Sequence, residues 1–125
     1  MRLNISEAAK HVGVTAVTLR YYEKEGLVPG IKRKKGGVRD YQQEDLQWID
    51  FIVCMRNAGL SIESLGRYTK LFQQGNQTIE ERKALLKEER NKLIEKQKEI
   101  AETLDRLNGK IQDYEEGKYW TREWV

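Results

Sequence analysis

Apolar residues recur at helical spacing in short, glycine-punctuated segments over the first 75 residues, and a long segment with a different period follows. Ser6 precedes Glu-Ala-Ala-Lys-His-Val as an N-cap, Gly13 closes the segment, and Ile5, Ala8, Ala9 and Val12 share one side, which predicts a first short helix. Thr15 caps a second helix running to about Glu25 and stopped by Gly26. Two short helices joined at Gly13-Val14 have the layout of a helix-turn-helix, and on this pattern alone also that of an ordinary helical hairpin.

The next segment separates the two. Pro29-Gly30 opens it, Gly36-Gly37 bends it, and Val38-Arg39-Asp40-Tyr41 ends it, which predicts a β-hairpin wing. Its tip, Lys32 to Lys35, bunches like charges that an anionic partner would neutralise; a solvated basic loop is the alternative. From Gln43 to Ala58 a third helix carries Leu46, Ile49, Ile52 and Val53 on one face, with Trp48, Phe51 and Met55 on a second. One apolar face suffices to pack a small domain, so the second predicts a further contact. Gly59 ends that helix, and Ser61 starts a fourth, to about Gln74, with Ile62, Leu65, Tyr68, Leu71 and Phe72 as its buried stripe.

Beyond Gly75-Asn76, Ile79, Leu86, Leu93, Ile100, Leu107 and Tyr114 recur every seven residues, which argues a coiled coil. The companion positions are Lys83, Arg90 and Gln97 in the first half, but Leu104 and Ile111 in the second. In an antiparallel pair, each polar first half lies against the apolar second half of its partner. A single helix cannot bury this seam, so a homodimer is expected. The expected architecture is mainly α: a winged helix-turn-helix domain over residues 1–75 with a small β-hairpin wing, an antiparallel coiled-coil helix over 76–114, and a short tail over 115–125.

Charge sharpens the picture. The net charge is +3, and residues 1–60 carry ten Lys/Arg against seven Asp/Glu while residues 61–125 carry thirteen of each. Residues 20–41 hold seven basic side chains against three acidic ones, a local surplus suited to a phosphate backbone. The chain has one cysteine, Cys54, which rules out an intramolecular disulfide and a multi-cysteine zinc site. His11, the one histidine, reads as a surface or cap residue, so neither a metal nor another cofactor is expected. No Ser/His/Asp set, phosphate loop or paired carboxylates suggests an enzyme. Without a long apolar run or a signal-peptide pattern, the chain reads as cytoplasmic, with no membrane partner.

Three strings bring a family into view. Thr18-Leu19-Arg20-Tyr21-Tyr22-Glu23 followed by Gly26-Leu27-Val28-Pro29, then Arg39-Asp40-Tyr41, and then Gly59-Leu60-Ser61-Ile62 resemble signatures of the MerR family of transcriptional regulators. The resemblance covers about the first 70 residues, and the long helix continues it to about residue 114. It implies that the second helix enters the DNA major groove, with Thr15, Ala16, Thr18 and Arg20 facing the bases. Tyr21, Tyr22, Arg33, Lys34, Lys35, Arg39 and Tyr41 would then hold phosphates, although adjacent Tyr21 and Tyr22 cannot both face outward. It also implies a dimer that binds a pseudo-palindromic promoter beside RNA polymerase and regulates by bending and untwisting the DNA.

Two readings of Cys54 stay open. The string Cys54-Met55-Arg56-Asn57-Ala58-Gly59 resembles the AdhR/NmlR-like single-cysteine branch, which implies a sensor of thiol-reactive electrophiles. The other reading is a small apolar residue at a helix interface, in a regulator triggered by another small molecule. A dimeric adaptor that does not bind DNA is the alternative outside the regulator class. Tyr119, Trp120 and Trp124 in the tail read as packing on the partner, with a small aromatic pocket as the second possibility.

Overall fold

The computed structural model describes residues 3–31 and 33–121; Lys32 of the expected wing and Trp124 of the tail lie outside the described residues. Five helices follow one another: α1 (Ile5–Val12), α2 (Ala16–Lys24), α3 (Gln43–Asn57), α4 (Ile62–Gln73) and α5 (Ile79–Glu115), with a 3-10 turn at Asn76–Thr78 before the last. They form two compact units, Met1–Lys87 and Glu88–Val125.

In the first unit, α1 begins two residues earlier than its expected cap allows. Asn4, not Ser6, is the N-cap: its side chain accepts from the Glu7 backbone N–H at 2.9 Å, and the Glu7 carboxylate accepts from the Asn4 N–H at 3.0 Å. This reciprocal pair satisfies two helix-end donors, which a lone Ser6 contact would not. Ala8 and Ala9 are buried, and their small side chains let α1 lie close against both α2 and α3. Gly13, at φ 79°, makes the left-handed turn that sends the chain into α2, a conformation that L side chains rarely adopt. Thr15 caps α2 through its hydroxyl, which accepts from the Thr18 N–H at 3.1 Å.

Leu19, Leu27, Tyr41, Ile49, Ile52 and Leu65 form the centre of the core. The Leu27 carbonyl is its polar anchor. It accepts from Trp48 Nε1 of α3 at 2.9 Å, and the buried Thr69 hydroxyl of α4 lies 3.0 Å from it. The exit of α2 is thereby tied to both helices behind it. The second apolar face of α3 is used within the unit: Trp48 stacks on Tyr68 at 5.5 Å and meets Phe72 at 4.6 Å, while Phe51 meets Tyr68 at 6.0 Å. Of the expected stripe of α4, Leu65 and Leu71 are buried, Ile62 and Tyr68 are half-buried, and one residue is displaced. Phe72 remains 41% exposed, and Thr69, a polar residue satisfied by carbonyls, takes the inward position.

The segment expected as a β-hairpin is a tight turn, and no strand is formed among the described residues. One bridge joins Arg33 to Arg39, with the Lys34 N–H bonded to the Val38 carbonyl at 2.6 Å and the Gly37 N–H to the Lys34 carbonyl at 3.0 Å. Five residues, 34–38, make the reversal between the bridged pair, with Gly36 and Gly37 at positive φ. A second bridge, Leu3 to Tyr41, fastens the end of this turn to the start of the chain.

The start of α5 is packed into the first unit. The Thr78 hydroxyl lies 2.6 Å from the Leu71 carbonyl, Leu85 is buried, and the Arg82 guanidinium stands 5.4 Å from the Phe72 ring centroid. Ile79 and Leu86 of the seven-residue repeat point away, exposed. In the second unit Leu93 is half-buried, whereas Ile100, Leu104, Leu107, Ile111 and Tyr114 are exposed, as is Ile94 beside them.

Candidate nucleic-acid interface

Helix α2 buries Leu19 and Tyr22, so the opposite side is fixed by the 100° step between residues: Val17, Arg20, Tyr21 and Lys24. Val17 is 73% exposed, the most exposed large apolar side chain among the described residues. An apolar β-branched residue in open water on a short polar helix does no packing for its own chain. Sequence reasoning passed over it, although a helical wheel drawn from Leu19 puts Val17 on the far side. Its chemistry suits the thymine methyl in a major groove.

At the start of α2, Thr15 is exposed while Ala16 and Thr18 are half-buried. The Thr15 hydroxyl donates to Thr18 Oγ1 at 3.0 Å, which fixes both side chains at the helix entrance. Tyr21 and Tyr22 divide as their adjacency requires: Tyr21 is 46% exposed, and Tyr22 is buried. Their rings remain 6.2 Å apart.

Tyr41 differs from expectation. It is fully buried, and its hydroxyl donates to Glu23 at 2.5 Å, so it supports α2 from within and does not face a phosphate. Burial first, then the hydrogen bond to Glu23 and the charge of that carboxylate, push the Tyr41 phenol well above its ordinary value, against a partial pull down by Arg39 and Arg20. The same carboxylate receives Arg39 Nε at 2.8 Å. Glu23 was not singled out in the sequence; as an acid among basic neighbours, in the same helical signature as Arg20, it was the available signal.

Arg20, Lys24, Arg33 and Arg39 surround a cleft of about 400 Å³ between α2 and the following turn, whose floor includes Val28, Pro29 and Ile31. Glu23 is the one acid in its lining. Arg33 is braced across the turn by a bond from Nη1 to the Gly37 carbonyl at 2.7 Å, while Lys34 and Lys35 stand free in solvent. Four cations around one carboxylate make a surface with positive potential, suited to holding a phosphate chain. Among the described residues no group of three or more His, Cys, Asp or Glu is placed to hold a metal, and no helix is long and apolar enough to cross a membrane.

Cys54 lies on α3 as a free, exposed thiol, on the same side as the exposed residues Gln47, Asp50 and Ala58. His11 is also exposed, beside Gln43, Gln47 and Asp50 in a smaller cleft between α1 and α3.

Comparison with known proteins agrees with this geometry. A sequence profile described as MerR HTH family regulatory protein matches residues 3–71, and one described as MerR, DNA binding matches residues 46–110. The HTH-type transcriptional regulator AdhR of Bacillus subtilis is 59% identical over 93 residues, 74% of this chain and 66% of that regulator, so the match spans slightly less than two thirds of its length. A crystal structure of a MerR family transcriptional regulator from Listeria monocytogenes superposes with a TM-score of 0.87 at 50% identity, covering 90% of this chain and 86% of that one. The crystal structure of HiNmlR, a MerR family regulator lacking the sensor domain, bound to promoter DNA, superposes with a TM-score of 0.84 at 36% identity over 94% of each chain. With a helix-turn-helix held on one core, a basic cleft beside its second helix and matches of this extent, the chain belongs to the MerR family of DNA-binding transcriptional regulators.

Proposed function

We propose that two copies pair through α5 and read a pseudo-palindromic promoter, each placing its α2 in a major groove and its basic turn along the backbone. The dimer activates or represses transcription by bending and untwisting the DNA between its two heads, at a cost of about 1–6 kcal/mol for a site of this size. The organisation is a DNA-binding head over 1–75, a pairing helix over 76–114 and a tail over 115–125. RNA polymerase at the promoter reads the change, in the cytoplasm, and the chain itself performs no chemistry on a substrate.

The observation that carries this reading is the shared face of the head. Val17, Arg20 and Tyr21 on α2 lie exposed, and Arg20 lines the same cleft as Arg33 and Arg39. Residues of that kind on one face combine base-edge contacts with phosphate contacts. HiNmlR, similar over nearly the whole chain, was crystallised bound to promoter DNA, which supports the same role here.

Titrations of a palindromic promoter fragment at several salt concentrations test the docking. Arg20→Ala relaxes base preference at one position per half-site and costs about 1–3 kcal/mol, whereas Lys34→Ala weakens binding to every sequence and shallows the salt dependence. Unchanged binding in both variants rejects the docking.

For the trigger, Cys54 is the residue proposed, acting on thiol-reactive electrophiles such as aldehydes. Its free, exposed thiol on α3 and the similarity to AdhR support this. An adduct there shifts the packing around α3 and with it the angle between the heads. Transcription from the target promoter with and without formaldehyde, methylglyoxal or a nitrosothiol, compared between wild type and Cys54→Ala, decides the matter. A response that survives in Cys54→Ala assigns the thiol a structural role, and no response in either protein assigns the trigger to another small molecule.

A further inference from the structure

The basic turn holds its shape without the side chain of Val38. Gly36 and Gly37, at φ 101° and 90°, make the reversal. The Lys34 N–H bonds to the Val38 carbonyl at 2.6 Å, the Gly37 N–H to the Lys34 carbonyl at 3.0 Å, and Arg33 Nη1 to the Gly37 carbonyl at 2.7 Å. Arg39, next in the chain, turns to Glu23 of α2 at 2.8 Å. The Val38 side chain takes part in none of these contacts and is 55% exposed. A single exposed valine is ordinary on most protein surfaces. This one stands at the tip of a basic segment, beside the exposed Lys34 and Lys35, where a polar side chain would cost the fold nothing.

The tip is also slender. A Cβ placed on Gly36 or Gly37 would meet nothing within 4 Å, so the space beside both residues is open. A backbone this bare can approach another surface closely. The surface that Lys34 and Lys35 attract is a phosphate chain, and in duplex DNA the apolar area next to each phosphate is its deoxyribose. Bases differ along a promoter, whereas the sugars repeat unchanged. An apolar side chain held between phosphate-binding cations therefore meets sugar carbon, and its contact carries no sequence information.

We infer that Val38 packs on deoxyribose of the promoter backbone, as an apolar anchor among the ionic contacts of the turn. The inference rests on the docking proposed above. It divides the work of the turn in two. Lys34 displaces counterions from phosphate, so its contribution falls as salt rises, whereas Val38 removes apolar surface from water and is largely indifferent to salt. On the same docking Val17 of α2 meets base edges, so one exposed valine of the head reads sequence and the other does not.

Titrations of the promoter fragment and of an unrelated duplex of equal length, each at several salt concentrations, test it. Val38→Thr keeps the β-branched shape and replaces a methyl by a hydroxyl, while Val38→Ser removes more apolar surface. Affinity is expected to fall about threefold for Val38→Thr and about tenfold for Val38→Ser, since a bound dimer carries two such contacts. The factor is the same on both duplexes, and the slope of log affinity against log salt stays that of wild type, whereas Lys34→Ala lowers it. Hydroxyl-radical cleavage, which begins by taking hydrogen from exposed deoxyribose, reads the sugars themselves. At saturating protein, Val38→Ser opens a short patch in each half-site that wild type protects. Urea unfolding of both variants matches wild type, because the side chain stands mostly in water. Unchanged affinity and protection in both variants, while Arg20→Ala and Lys34→Ala weaken binding, overturns the sugar contact alone. A loss confined to the promoter makes Val38 a base contact, and an altered salt slope assigns the loss to displaced lysines; either overturns it too. If Arg20→Ala and Lys34→Ala are also without effect, the docking itself fails.

Discussion

Glu23 and Tyr41 are joined by a hydrogen bond of 2.5 Å between the carboxylate on α2 and a phenol that is fully buried. Arg39 closes on the other carboxylate oxygen at 2.8 Å, so one acid fastens α2 to two residues, Arg39 and Tyr41, that follow the basic turn. Tyr41 is in turn bridged to Leu3, ahead of α1. The orientation of α2 and the position of the basic turn are therefore set together. Replacing Glu23 with Gln keeps the shape and removes the charge that strengthens both bonds. Urea unfolding of Glu23→Gln is expected to show a loss of about 1–3 kcal/mol, accompanied by weaker DNA binding. Stability within about 0.5 kcal/mol of wild type would show that the carboxylate is not the tie.

The same contact gives the protein an alkaline sensitivity. The folded state holds the Tyr41 phenol above its ordinary value of 10.0, by burial and by Glu23. Below that value the phenol is neutral in both folded and unfolded chains, and its contribution is fully present. As pH rises past 10.0 the unfolded chain releases its proton first, so stability falls as pH climbs toward the raised folded value. Stability measured by denaturant at a series of pH values should decline less steeply above pH 10 in Tyr41→Phe than in wild type. Parallel slopes would mean that the other tyrosines account for the whole decline.

Val17 separates reading from folding. With 73% of its surface in water, Val17→Ala changes stability by no more than about 0.5 kcal/mol. Its loss on DNA is expected at one base pair per half-site, with a preference for thymine relaxed at that position. Selection of binding sites from a randomised half-site, compared between the two proteins, reads this directly. An unchanged sequence preference would place Val17 outside the groove.

Much of this was legible in the residues. The cap at Thr15 and the stop at Gly26 define α2 within a residue, and the glycine punctuation delimits α3 and α4. What local pattern could not show depends on neighbours distant in sequence. Ser6 and Asn4 are both good caps, and only the reach of Glu7 back to the Asn4 N–H selects between them. Trp48 and Phe51 look surplus to a helix that already has one apolar face, until Tyr68 and Phe72 of α4 are brought against them. Tyr41 ends a basic stretch and so resembles a phosphate ligand, but its bridge to Leu3 turns it inward.

The Leu27 carbonyl offers a test of how the exit from α2 is held. Trp48 Nε1 donates to it at 2.9 Å from α3, and the Thr69 hydroxyl lies at 3.0 Å from α4. Thr69→Val keeps the volume and leaves one buried partner in place, at an expected cost of about 1 kcal/mol. Trp48→Phe removes the other donor together with ring contacts to Tyr68 and Phe72, and should cost more, about 2–4 kcal/mol. Thermal or denaturant unfolding ranks the two. A smaller loss for Trp48→Phe than for Thr69→Val would move the anchor from the indole to the hydroxyl.

Leu107 probes the pairing seam without disturbing the fold of the single chain. It lies in the second half of α5, 56% exposed, and its neighbours along the repeat, Ile100 and Tyr114, are 65% and 53% exposed. A side chain this open contributes little to the stability of one chain, so Leu107→Asp should leave the Met1–Lys87 unit folded. In a paired helix the same change removes an apolar contact and buries a carboxylate, a cost that the cations of the partner's first half offset only in part, and the dimer should separate. Once separated, the second half of α5 has only its own backbone bonds to support it, and isolated helices in water are marginal. Three signals should therefore move together: the sedimentation coefficient falls to that of a monomer, far-ultraviolet helicity drops, and promoter affinity collapses because one head retains half the contacts. A Leu107→Asp protein that remains dimeric, or a wild-type monomer that still binds its promoter tightly, would remove α5 from the interface.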